Sequence, residues 1–131
     1  MNFSLPSRYF KYSVISLFVV AILGTLMRYK IAFSFPYFDQ KNLLHAHSYF
    51  AFTGWISHFL YCGLASIVLK HVATKRYNIL ITANLILAAG MLIAFVIQGY
   101  KAVSIAFSTG AILVGVLFAI QLIGDWRKIK V

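Results

Sequence analysis

The sequence contains no glutamate and only two aspartates, Asp39 and Asp125, so it offers no paired carboxylates for general acid–base chemistry. Charge of either sign is scarce. Asp, Glu, Lys and Arg together make up 11% of the residues, against roughly 25% in an ordinary soluble domain. The single cysteine, Cys62, excludes a disulfide framework. It lies inside an apolar run with no cation near it in sequence, and is read as a buried, inert small residue. No hydrolase, kinase or redox-thiol constellation occurs, and no internal repeat, low-complexity tract or interdomain linker is visible.

Apolar residues are abundant, at 62% of the chain. Twelve Lys and Arg give a formal net charge of +10, but they fall between apolar runs and form no continuous basic face, which argues against nucleic acid. The partner implied by that layout is lipid. Stretches 42–69, 77–100 and 102–124 contain no Asp, Glu, Lys or Arg, and each exceeds the roughly 20 residues that span a bilayer. A shorter first run, 12–27, extends toward Phe33 because Arg28 and Lys30 can snorkel to the interface. It has no small-x-small cleavage site followed by a polar mature start, and is read as an anchor, not a signal peptide. Period-two alternation is absent and the runs are twice the length of a barrel strand.

The expectation is therefore an all-α integral membrane protein, a single domain of four antiparallel transmembrane helices over about 12–33, 43–69, 77–98 and 102–124. Short connections at 34–41, 70–76 and 99–101 make successive helices neighbours. Eight basic residues (Arg8, Lys11, Lys70, Lys75, Arg76, Arg127, Lys128 and Lys130) fall on one side, and four (Arg28, Lys30, Lys41 and Lys101) on the other. That bias puts both termini inside, in a multi-pass protein of the cytoplasmic membrane. Tyr12, Tyr29, Tyr37, Tyr77, Tyr100 and Trp126 lie near span ends, as interfacial rings do, whereas Trp55 is deep in the second span.

In lipid, packed seams are marked by small and polar residues. His47, Ala51, Gly54, His58, Tyr61 and Ala65 recur at helical spacing and form one such stripe. Ala111, Gly115 and Ala119 make a small-xxx-small ladder on the fourth span, continued by Ser104 and Ser108. Asn84, Ala88, Met91 and Gln98 share a side of the third, where interhelical hydrogen bonds contribute about 0.6 to 2 kcal/mol per contact.

Three of the four histidines, His45, His47 and His58, lie in or beside the second span, while His71 belongs to a solvated basic connection. An intramembrane histidine is a functional hypothesis by default, and neutral imidazole suits heme iron, copper or zinc. His45 and His47 point about 200° apart on a helix, and His47 and His58 share a face but stand roughly 16 Å apart along it. Neither pair flanks one ion. An irregular helix start would let His45 and His47, with Asp39, capture copper or zinc from outside.

The segments LGTLMRYKIAF (23–33) and NLLHAHSYFAFTGW (42–55) resemble the first two helices of heme-copper oxidase subunit I and the related nitric oxide reductases. In that family an Arg ends the first helix near the outer surface, and a His early in the second is an axial ligand of the low-spin heme. The resemblance implies that role for His47 and a heme propionate for Arg28, which otherwise reads as an interfacial anchor. A second register, on the His-x-His of a later family helix, assigns His45 to the high-spin heme and His47 to the low-spin one. The likeness covers about a quarter of the chain, and the first, third and fourth spans have no histidine for the family's copper site. It therefore implies a heme-associated protein with a possible electron-transfer role, partnered by other membrane subunits or a second copy, and not a complete oxidase. The competing expectation is a cofactor-free four-helix protein, an assembly factor or transporter component, whose histidines bond across helices.

Overall fold

The computed structural model describes residues 7–68 and 75–130. Four helices account for nearly all of them: α1 (Ser7–Ala32), α2 (Gln40–Val68), α3 (Lys75–Gln98) and α4 (Ala102–Lys130). Each is long and apolar enough to cross a membrane, as expected of a multi-pass membrane protein. Lys70 and His71, assigned to the second connection, lie outside the described residues.

Local chemistry sets the helix ends. Pro36 falls in the connection after α1, where its ring and missing N–H cost no helical bond. The Lys30 ammonium donates to the carbonyls of Phe35 and Phe38 and so gathers that connection. Asp39 then caps α2, its carboxylate accepting the Asn42 N–H at 3.0 Å. At the far end of α3, Gly99 takes φ 67°, a conformation that suits glycine. A Cβ there would also run into the Asn42 side chain. The Gly99 carbonyl accepts from the Ser104 hydroxyl at 2.6 Å, which ties the turn to the first residues of α4.

α2 departs from ideal geometry. Ala51–Ser57 is a π-helical segment, the wider turn that appears as a bulge within α-helices. The buried residues of α2 run Leu43, Ala46, Phe50, Gly54, His58 and Cys62, then Ala65, Ser66 and Val68. The spacing expected from the sequence placed His47, Ala51 and Gly54 on the inward stripe. In the structure Ala46 and Phe50 take the fully buried places ahead of Gly54, while His47 and Ala51 are half-buried toward α1.

The interior divides into three apolar clusters. Tyr9, Cys62, Ala65, Val68, Tyr77, Ile81 and Phe118 form one. Val20, Phe50 and Ala88 form the middle one, and Ala46, Met91, Phe95 and Ala111 the third. Asn84, Ala88 and Met91 are buried together on α3, with Gln98 half-buried. On α4 the inward side follows Ser104, Ala111, Val114, Phe118 and Asp125. Gly115 is half-buried against the Tyr61 hydroxyl, and Ala119 is exposed. The reason is angular: steps of four residues overshoot a full turn by about 40°, so a ladder of two such steps drifts off a stripe that alternates threes and fours.

Candidate functional site

His47 stands on the side of α2 that meets α1. Its Nδ1 lies 3.1 Å from the backbone carbonyl oxygen of Val20. A carbonyl only accepts, so Nδ1 carries the proton and Nε2 keeps the lone pair. Gly24, one turn beyond Val20, makes room for the ring, because a Cβ there would sit 3.2 Å from His47 Cε1.

An open groove of about 630 Å³ runs between α1 and the start of α2 beside this ring. Its lining includes His47, Gly24, Thr25, Met27, Arg28, Gln40 and Leu44. His47 and Arg28, which the resemblance assigned to one heme, thus border one space. That volume is within the range of about 300 to 1,000 Å³ common for ligand clefts.

His45 faces elsewhere. Its ring lies 5.8 Å from Phe95, 5.6 Å from Tyr100 and 6.3 Å from Tyr49, within an aromatic group in which Tyr49 stacks on Phe95 at 4.7 Å. Asp39 is engaged at the helix cap. The structure therefore does not gather His45, His47 and Asp39 at one point, and among the described residues no group of three His, Cys, Asp or Glu could hold a metal ion.

His58 is fully buried, and its Nε2 bonds the Tyr9 carbonyl at 2.8 Å. By the same logic Nε2 is the protonated nitrogen there. Cys62, one turn on, places its Sγ 3.7 Å from that Nε2. Two histidines of α2 thus fasten it to carbonyls of α1, at opposite ends of the contact.

Two polar arrangements complete the interior: the sequence placed Asn84 on an interhelical seam without giving its partner, and the second escaped sequence reasoning. Asn84 Nδ2 donates to the Thr53 carbonyl at 3.0 Å, inside the π segment, where the wider turn disturbs the normal carbonyl pairing. The other is Asp125, which the apolar runs placed beyond the fourth span. It is 1% exposed, and its Oδ2 accepts from the Tyr77 hydroxyl at 2.7 Å and from Gln121 Nε2 at 2.6 Å. Lys128 Nζ stands 3.7 Å from Oδ1. One signal was present in the sequence: Gln121 and Asp125 are four residues apart and share a helix face.

Compared with protein-family models, curated proteins and solved structures, the chain gives no significant match.

Proposed function

We propose that the α1 and α2 hairpin is a heme-binding element of an integral membrane protein related to the respiratory oxidases, with His47 as the axial ligand. The observation that carries this reading is the hydrogen bond from His47 Nδ1 to the Val20 carbonyl. Metal-bound histidines characteristically donate their second nitrogen to a carbonyl or carboxylate, which fixes the ring and leaves the other nitrogen for the metal. The groove, the absent Cβ of Gly24 and the shared border with Arg28 fit a flat anionic macrocycle. Arg28 would serve a propionate. A bound heme supplies one-electron transfer.

The described residues supply one histidine to this groove, and in this proposal the second ligand of a six-coordinate bis-histidine iron comes from another membrane subunit or from a second copy of the chain. A twofold axis along the membrane normal would bring two copies of His47 to equal depth, with one heme per two chains. Antiparallel helices with both termini on the cytoplasmic side belong to the same proposal, supported by the basic-residue bias.

Absorbance of the purified protein tests the reading. A Soret band that is lost in His47→Ala and kept in His45→Ala supports it. Its absence after expression with heme supplied, or its survival in His47→Ala, would reject the ligand assignment. The second reading, a cofactor-free bundle, draws on the bond of fully buried His58 to the Tyr9 carbonyl, where a histidine serves as an interhelical fastener. Under that reading the purified protein is colourless, and His47→Ala lowers stability alone.

A further inference from the structure

Against its twelve Lys and Arg the chain sets only two side-chain carboxylates. Both are engaged. Asp39 caps α2, and Asp125 holds Tyr77, Gln121 and Lys128. The bond between Tyr77, near the start of α3, and Asp125, near the end of α4, brings Lys75, Arg76 and Arg127 to one end of the bundle. These 131 residues hold no further side-chain carboxylate to pair with them, which favours an anion at this end.

At that end an apolar groove of about 370 Å³ opens between the last turns of α2 and α4. Leu64, Ile67 and Val68 form one wall, Leu122 and Ile123 the other, and Trp126 and Arg127 border it. Both bordering side chains are exposed. Hydrocarbon walls ending in an indole and a guanidinium complement an amphiphile with a negative head. Tryptophan favours the headgroup level, and arginine matches phosphate with paired N–H donors.

We propose that this groove binds an anionic glycerophospholipid, its acyl chain between α2 and α4 and its phosphate on Arg127. A zwitterionic lipid is disfavoured because its choline would approach Arg127, the one basic residue among those described that borders the groove, with like charge. This site shares no residue with the groove beside His47 and stands apart from the heme proposal.

Trp126 is a built-in reporter, since Trp55 is the one other tryptophan. The Trp55→Phe chain is reconstituted in phosphatidylcholine vesicles containing either brominated-chain phosphatidylglycerol or brominated-chain phosphatidylcholine at equal bromine content. Trp126 quenching is expected to favour the anionic lipid by about fivefold, the effect of one basic side chain at the membrane surface. Arg127→Gln should abolish that preference. Lys75→Gln, which removes the same charge at the same end, should leave it in place. Equal quenching by the two lipids, or equal loss in both variants, overturns the proposal; the second outcome reduces it to diffuse surface attraction. Should Trp55→Phe disturb folding, the native chain is used and a Trp126→Phe variant measures the contribution of Trp55 to be subtracted.

Discussion

The imidazole of His47 is held by the main chain of another helix, Nδ1 to the Val20 carbonyl oxygen at 3.1 Å. The contact relies on Gly24, whose missing side chain admits the ring. Gly24→Val should displace His47 from the carbonyl, weakening any Soret signal while leaving the helical circular dichroism within about 10% of the parent, since valine has a higher helix propensity than the glycine it replaces. An unchanged spectrum and unchanged heme content would show that the ring does not need that space.

Asn84→Leu removes the donor to the Thr53 carbonyl. The expected loss of stability is about 1 to 2 kcal/mol, measured by unfolding in mixed detergent, because a carbonyl in the π segment is left unpaired in an apolar setting. Asn84→Gln, which keeps a donor on a longer arm, should recover part of it. Equal stability of all three proteins would mean that the carbonyl finds another partner without cost.

Tyr77→Phe deletes one of the two neutral donors on Asp125. Hydrogen bonds to a charged group contribute about 1.5 to 3 kcal/mol. Combined with Asp125→Ala, the two changes should be clearly non-additive, because each removes the same interaction. Additivity within about 0.3 kcal/mol would mean that the hydroxyl and the carboxylate act independently.

For orientation, Gln40→Cys places a thiol at the first residue of α2, while the native Cys62 is buried and should give little background. A membrane-impermeant maleimide should label it in intact cells. Labelling only after lysis would reverse the orientation and put His47 on the opposite membrane face.

The four helices were legible in the sequence because long charge-free runs and short polar connections mark them without reference to packing. Their ends were less so. Gln40 to Asn42 joined α2 because the Asp39 carboxylate takes up the Asn42 N–H, a capping bond that hydropathy does not register. The inward stripe of α2 was read one residue late ahead of Gly54, with His47 and Ala51 in the places that Ala46 and Phe50 hold, because uniform α geometry was assumed and no residue type announces a π segment. His47 was legible as unusual, whereas its partner, a backbone carbonyl of Val20, leaves no trace in side-chain spacing. Asp125 shows the reverse: its charge suggested solvent, and only the folded contacts of Tyr77 and Gln121 account for its burial.

The π segment in α2 also determines how far one seam can run. Ala46, Phe50, Gly54, His58 and Cys62 follow one another at four successive intervals of four residues, and all are buried. On a regular α-helix each such interval overshoots a turn by about 40°, so the four together would swing Cys62 by about 160°, nearly to the opposite side of the helix. The slower winding of Ala51–Ser57 absorbs much of that precession. An unsupercoiled helix thereby keeps both ends of its seam facing the interior, with Ala46 among residues of α3 and α4 at one end and His58 on the main chain of α1 at the other.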